Sequence, residues 1–197
     1  MRPAIGTPLA LSLVLTVLAA CGSPSGNAAP DAAEAATAAV PAVAPAASPS
    51  RIRIQGLGLD ITDAAGTTST LKFEQVSQAD AIAAVNAATG TTPEVTTNND
   101  CPSGPTSFAD YPNGLQLVFV DGSFQGWTLD QAGIYTENEF GVGVDRATMD
   151  SLPDFQIDTS STLGVEFYFQ GVNGFMSSDA PDGVVESLYA GLTCFFR

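Results

Sequence analysis

The order of apolar and polar residues divides the chain into three parts. Residues 9–20 are mostly apolar, residues 22–50 consist largely of Ala and Pro, and residues 51–197 carry the periodic patterns of a folded domain. In the third part, residues 51–54 alternate Arg with Ile, and residues 115–120 place Leu115, Leu117 and Phe119 on one face. Alternation of this kind is typical of strands with one buried face.

Further strands are predicted from short apolar runs bounded by turn signals. Pro112-Asn113-Gly114 and Asp121-Gly122 are such signals, and they favour hairpins. The remaining predicted strands cover residues 71–74, 106–111, 123–129, 134–136 and 163–170. Residues 184–188 are apolar enough for a final strand or for one helical turn. Residues 91–105 lack a pattern and are predicted to be a loop.

Two helices are predicted from capping signals. Ser77 begins one helix and Gly90 ends it, with apolar residues between them at helical spacing. Asp145 is the predicted N-cap of a shorter helix over residues 146–152, which Pro153 ends. Together the patterns predict an α+β fold, an antiparallel sheet with one or two helices packed on one face.

The N-terminal apolar run has the length of a signal peptide. Arg2 precedes it, and the run is shorter than the roughly 20 apolar residues of a transmembrane helix. Its end, Leu18-Ala19-Ala20-Cys21, resembles the lipobox of bacterial lipoproteins. The resemblance implies that residues 1–20 are removed and that Cys21 carries acyl chains such as palmitate. An ordinary secretory signal with a chance cysteine is the alternative.

The lipobox resemblance also implies a location in the bacterial cell envelope. Gly22 and Ser23, rather than Asp, follow the cysteine, which by the same resemblance favours the outer membrane, facing the periplasm. Residues 21–50 then form a tether, since twelve Ala and five Pro occupy the 29 positions after Cys21. Such a segment cannot bury enough apolar surface to offset its ordering entropy. A short helix over residues 31–39, formed on binding, is the alternative.

The charge balance of the mature chain excludes one class of function. Without residues 1–20, five basic residues face 21 acidic ones, a net side-chain charge of −16. A surface of this sign repels nucleic acid and anionic lipid headgroups, so we expect no nucleic-acid partner. The expected contacts are the membrane, through the lipid anchor, and a second envelope protein.

Two cysteines remain in the domain, Cys101 and Cys194. Because exported compartments are oxidising, an even pair of cysteines favours a disulfide. A metal pair or a reactive thiol is the alternative, although neither cysteine has a His or a Cys-x-x-Cys neighbour. The sequence predicts no cofactor and no metal site.

The two halves of the domain share a pattern. Gly56-Leu57-Gly58-Leu59 is echoed by Gly141-Val142-Gly143-Val144, and each precedes a capped helix and an aromatic hairpin, with turns at 121–122 and 170–171. This arrangement resembles the tandem helix-plus-sheet architecture of the β-lactamase-inhibitor-protein family and of small outer-membrane assembly lipoproteins. The resemblance implies a binding surface on the sheet rather than catalysis. Chance similarity of two glycine-flanked hairpins is the alternative.

Catalytic motifs are sparse. Ser69-Thr70-Leu71-Lys72 matches the S-x-x-K signature of penicillin-recognising enzymes, but Lys72 is the only lysine and the companion K-T-G motif is therefore absent. The chain has no histidine, which excludes Ser-His and Cys-His triads. A pair of carboxylates acting on an envelope glycan stays open, as does calcium binding by the acidic stretch 137–158, although a solvated acidic face is the preferred interpretation of that stretch.

Aromatic side chains are the remaining candidates for a binding surface. Most of them face the predicted core by alternation, whereas Trp127 and Tyr168 are the candidates for contact with a protein or a glycan. We therefore expect a lipid-anchored envelope protein with a non-enzymatic binding or scaffold domain over residues 51–197. A carboxylate-dependent glycan hydrolase is the alternative.

Overall fold

The computed structural model describes residues 50–194, and the predicted signal peptide, Cys21 and nearly all of the tether lie outside them. The described residues form strands and two helices in this order: β1 Arg51–Gln55, β2 Gly58–Thr62, β3 Thr68–Lys72, α1 Gln78–Thr89, β4 Glu94–Asn98, β5 Thr106–Asp110, β6 Leu115–Val120, β7 Ser123–Leu129, α2 Arg146–Asp150, β8 Gln156–Asp158, β9 Val165–Phe169, β10 Val172–Met176 and β11 Val185–Gly191. The predicted α+β class is confirmed. No helix within residues 50–194 is long and apolar enough to cross a membrane.

The strands form two antiparallel sheets rather than one. The strands β1, β2 and β3 make a three-stranded sheet, and the other eight make a sheet in the order β4-β5-β6-β7-β11-β10-β9-β8. The small sheet buries Ile54 and Leu59 completely, and both belong to the same core cluster as the inner residues of the large sheet.

The large sheet consists of two four-stranded meanders, each preceded by a helix. The helix α1 precedes β4 to β7, α2 precedes β8 to β11, and the last strands of the two meanders pair in the middle, where Ala190 faces Trp127. The predicted repeat therefore exists in the strand order, but the sequence pattern matched the wrong hairpins. Residues 121–122 join the third and fourth strands of the first meander, whereas residues 170–171 join the second and third strands of the other.

The cap residues of α1 are those predicted from the sequence. The Ser77 hydroxyl accepts a hydrogen bond from the Asp80 backbone N–H at 3.2 Å. Gly90 has a φ of 70°, and its N–H bonds to the Asn86 carbonyl. A left-handed residue at this position is the common way to end a helix, and glycine adopts it without a Cβ clash.

The helix α2 is shorter than predicted. The Asp145 carboxylate accepts the Thr148 backbone N–H at 2.7 Å, so the predicted N-cap is correct. This hydrogen bond lowers the pKa of Asp145. The helix stops at Asp150 because the Ser151 N–H and hydroxyl both bond to the Thr148 carbonyl, which tightens the last turn.

Both helices contribute to one core on the inner face of the large sheet. Ala81 and Val85 of α1 and Met149 of α2 are fully buried in the same cluster as the inner residues of the sheet. The largest fully buried side chains are Trp127, Phe119, Phe124, Phe167 and Phe169. The expectation of helices on one face therefore agrees with the packing.

Residues 192–194, called here the strap, cross the opposite, outer face of the large sheet at Gly126. The Leu192 N–H donates to the Gln125 carbonyl at 2.9 Å, and a Cβ on Gly126 would lie 2.1 Å from the Leu192 carbonyl oxygen. Cys194 is bonded to Cys101, with 5.1 Å between the Cα atoms. The disulfide thus holds the strap against the sheet.

Two local predictions were wrong. Residues 91–105 are not all loop, because they contain β4, and all five residues of β4 are exposed. A strand with two exposed faces has no apolar alternation to reveal it. Residues 134–136 form no strand, since Tyr135 makes only isolated bridges to Arg53 and Gly141.

Candidate functional site

A groove of about 480 Å³ lies where three remote segments of the domain meet. Its walls are the tip of the β1–β2 hairpin, the loop of residues 136–140 and the β9–β10 turn. We call it the Leu57 groove, since Leu57 and Tyr168 are the exposed large apolar side chains in its lining. Its volume falls in the range of natural small-molecule and cofactor pockets, about 300–1,000 Å³.

Leu57 projects from the tip of the β1–β2 hairpin and is 78% exposed. The register pairs Gln55 with Gly58, so Gly56 and Leu57 form the turn itself. Leu57 also lines a second groove of about 610 Å³ on its other side, together with Lys72 and Phe73. A leucine between two grooves presents most of its surface to any molecule that docks there.

Tyr168 is 51% exposed, as its position in the sequence suggested. On β9 it stands on the face opposite to Phe167 and Phe169, which are both buried. Its cross-strand neighbours are Gln156 on β8 and Asn173 on β10. Tyr168 therefore lies between two polar residues on the outer face of the sheet and also lines the Leu57 groove.

The loop wall of the groove is fixed by an arginine. Arg53 donates to the Thr136 carbonyl at 2.7 Å and pairs with the Glu139 carboxylate at 2.7 Å. The guanidinium lowers the pKa of Glu139, first through the hydrogen bond and then through its charge. Thr136 is buried, and its hydroxyl bonds to Phe140 within the loop.

The walls of the groove are also linked to each other. The Asn138 side-chain amide donates to the Gln170 side chain, which joins the loop to the β9–β10 turn. Phe140 packs edge-on against Phe169, with 5.3 Å between the ring centroids. The Leu57 groove is therefore formed in the isolated chain and needs no partner to assemble it.

Trp127 does not belong to a surface site. It is fully buried, and its indole N–H donates to the Gln55 carbonyl at 2.9 Å. Its selection as a contact residue was wrong, because Trp127 and Leu117 face each other on the inner side of the sheet. Trp127 instead supports the groove from below by holding the end of β1.

Acidic side chains of the stretch 137–158 make separate local interactions within the domain. Glu139 pairs with Arg53, Asp145 caps α2 and Asp150 pairs with Arg146 at 2.8 Å. Asp158 accepts two hydrogen bonds from Ser160. Among residues 50–194, no group of three or more acidic or cysteine side chains is arranged to hold a metal ion.

Two carboxylates do face each other on the outer side of the sheet. Asp158 of β8 lies opposite Glu166 of β9, and Glu166 is 2% exposed. The Tyr189 hydroxyl donates to Glu166. Neither acid lines the Leu57 groove or the groove on the other side of Leu57.

The S-x-x-K motif is split by the strand geometry. Ser69 and Lys72 both lie on β3, three residues apart. Side chains three apart on a strand point to opposite faces, so the lysine cannot take the serine proton. This placement agrees with the rejection of the motif.

Comparisons with known proteins found one similar solved structure and no family. No protein-family model matches the chain, and no curated protein matches it. Among solved structures, the crystal structure of the uncharacterized protein yfeY from Escherichia coli is similar, with 10% identity and a TM-score of 0.46. That match covers 72% of this chain and 99% of the other.

Of the two exposed apolar residues of the groove, the sequence analysis selected Tyr168 as a candidate contact residue and missed Leu57. Leu57 stands in Gly56-Leu57-Gly58-Leu59, which looks like the continuation of an apolar strand. The two flanking glycines were the available signal for a turn. No sequence pattern indicated that the loop of Thr136 and Glu139 forms a wall of the groove, because long-range contacts such as those with Arg53 place it there.

Proposed function

We propose that this chain is a lipid-anchored protein of the bacterial envelope whose domain binds another envelope protein through the Leu57 groove. The single observation that carries the proposal is the exposure of Leu57 and Tyr168 in one preformed groove. The lipobox at Cys21 and the Ala/Pro tether support the anchoring and the location.

The energetics of the two side chains favour a protein ligand. Complete burial of a leucine contributes about 1.5–3 kcal/mol, and Leu57 has most of its surface left to bury. Tyrosine is enriched among the residues that dominate protein interfaces, since it offers a large rigid surface and a polar tip. Because the groove is already formed, little ordering entropy opposes binding.

Charge defines the kind of surface that fits. Glu137 lines the groove, Glu139 borders it, and the mature chain carries a net charge of −16. Opposite potentials steer partners together, whereas like potentials slow their encounter. We therefore expect a partner with an apolar side chain for the groove and a basic rim around it.

Capture from native membranes tests the proposal. The full lipidated chain is compared with its Leu57→Asp and Tyr168→Ala variants after detergent solubilisation, and bound proteins are quantified by mass spectrometry. Leu163→Asp is the matched control, because Leu163 is an exposed leucine that does not line the groove. The proposal requires one protein whose recovery falls tenfold or more with both groove variants and not with the control.

The alternative is a carboxylate-dependent hydrolase of an envelope glycan, and the facing pair Asp158 and Glu166 is the observation that favours it. Glycosidases use two carboxyl groups about 5–9.5 Å apart. The test is release of reducing ends from purified envelope glycan by the wild-type chain, with Asp158→Asn and Glu166→Gln as controls. Absence of release by the wild-type chain would remove the alternative.

A further inference from the structure

Among residues 50–194, no strand pairs with the outer side of β4, which forms an open edge of the large sheet. It lies at one end of the strand order, and all five of its residues, Glu94 to Asn98, are exposed. Val95 is 51% exposed. Three successive β-branched residues, Val95, Thr96 and Thr97, give this edge a high strand propensity.

The hydrogen-bond pattern of the sheet shows which backbone groups point outward. The Tyr111 N–H donates to the carbonyl of Leu115, the first residue of β6. Along an antiparallel strand, successive residues direct their backbone hydrogen bonds alternately to one neighbouring strand and to the other. Phe108, three residues earlier, therefore bonds to β4, where its register partner is Thr96. It follows that Val95 and Thr97 turn their N–H and carbonyl groups toward the open edge.

This edge lacks most of the features that protect sheet edges from pairing. Natural edges carry lysines, inward-pointing charges, bulges or prolines. Within β4 the only charge is on Glu94, and the register between β4 and β5 runs without a bulge. Pro93 precedes the strand and limits the open ladder to these five residues.

We propose that two copies of this chain pair antiparallel along β4, with a two-fold axis at Thr96. In this register Thr96 faces the Thr96 of the second copy, Val95 faces Thr97, and Glu94 faces Asn98. The outward groups of Val95 and Thr97 then form four backbone hydrogen bonds between the copies. No like charges stand opposite each other, so the strand is complementary to itself.

Two physical conditions shape the strength of this pairing. Each mature chain carries a net charge of −16, so the copies repel at low salt and the repulsion is screened as ionic strength rises. An anchored chain moves in two dimensions, which raises its effective concentration near other copies. Pairing should therefore strengthen with salt, the reverse of an association driven by opposite charges.

Cysteine cross-linking tests the register. Facing residues of a non-bonded antiparallel pair have Cα atoms about 4.5 Å apart, which is within the range of a disulfide. The full lipidated chain carrying Thr96→Cys, in mild detergent under oxidation, should give a covalent dimer at least tenfold above the wild-type background. Ser69→Cys is the matched control, because Ser69 is exposed on β3, an edge of the small sheet.

A second variant separates pairing from chance collision. Val95→Pro removes an N–H that faces the open edge and leaves the bonds to β5 in place, so it should suppress the Thr96→Cys dimer tenfold while the melting temperature changes little. Val95→Cys and Thr97→Cys chains should cross-link when mixed and not alone. Equal yields for Thr96→Cys and Ser69→Cys, or a Thr96→Cys adduct with a different protein in place of the dimer, would overturn the proposal.

Discussion

Gly56 and Gly171 bring two distant turns into backbone contact. A Cβ built on Gly56 would lie 2.7 Å from the Gly171 Cα and 2.8 Å from the Gln170 carbonyl oxygen. Real Cβ atoms do not approach backbone so closely, so this contact requires glycine at position 56. It sets the distance between the hairpin that carries Leu57 and the turn that follows Tyr168, and hence the width of the Leu57 groove.

The Gly56→Ala variant should therefore widen the groove and destabilise the domain. Overpacking of this kind costs about 1–3 kcal/mol, because one of the two turns must move. Chemical denaturation followed by the fluorescence of the buried Trp127 measures the loss. Leu57→Ala, one residue along and fully outside the contact, should change stability by less than about 0.5 kcal/mol. Equal effects of the two variants would show that the contact does not constrain the hairpin.

The Cys101–Cys194 bond should account for much of the stability of the outer face. The cysteines are 93 residues apart, and removal of a native disulfide costs about 2–5 kcal/mol. We expect a loss of this size in the Cys101→Ser/Cys194→Ser chain, measured by denaturant unfolding. Wild-type protein unfolded with a reductant should match the double variant. If oxidised wild type and double variant unfold at the same denaturant concentration, the disulfide does not contribute to stability.

The Arg53–Glu139 pair should make stability depend on pH in the acidic range. The pKa of Glu139 in the folded chain is lowered from its usual 4.5 by the Arg53 hydrogen bond. The ionised carboxylate thus favours the folded state above about pH 4.5, and this contribution is lost as pH falls through the lowered pKa. The melting temperature of wild type should exceed that of Glu139→Gln at neutral pH, and the difference should close in acid.

Glu137→Gln is the control for that titration, since it removes a neighbouring charge and leaves the Arg53–Glu139 pair intact. A gap between wild type and Glu139→Gln that stays constant down to pH 2 would assign the effect to packing and not to the ion pair.

The proposed lipid anchor predicts a specific covalent change at Cys21. Cells fed radiolabelled palmitate should incorporate label into the wild-type chain, and the mature protein should fractionate with membranes because several acyl chains anchor stably. Cys21→Ser should abolish the label and release the protein, whereas Cys101→Ser should keep the label. Label in the Cys21→Ser chain would refute the assignment.

Local signals in the sequence were sufficient for the helices and the tight turns. Ser77, Gly90 and Asp145 act through neighbours within four residues, and the Asp121-Gly122 turn needs only positive φ at both positions. Such interactions are contained in a short window of sequence. The strand β4 was missed because its stability comes from pairing with β5, and its exposed side chains leave no apolar pattern.

The groove could not be predicted in the same way. Leu57, Thr136 and Tyr168 are far apart in sequence, and long-range contacts bring their segments together. Gly56 contacts Gly171, and Asn138 in the loop that follows Thr136 is hydrogen-bonded to Gln170. Trp127 shows the reverse error. A single tryptophan on a strand suggests a contact residue. Whether its side chain points to the core or to the surface depends on the register of β7 against β6, and the alternation of residues along β7 did not reveal that register.

Photo-cross-linking from position 57 tests the central claim most directly. A benzoyl-phenylalanine in place of Leu57, in the full lipidated chain and in native membranes, should give one adduct of defined mass after illumination. The same residue at position 163 should not give that adduct, and Tyr168→Ala should weaken it tenfold or more. If positions 57 and 163 give the same adducts, or if position 57 gives none, the Leu57 groove is not a protein-binding site.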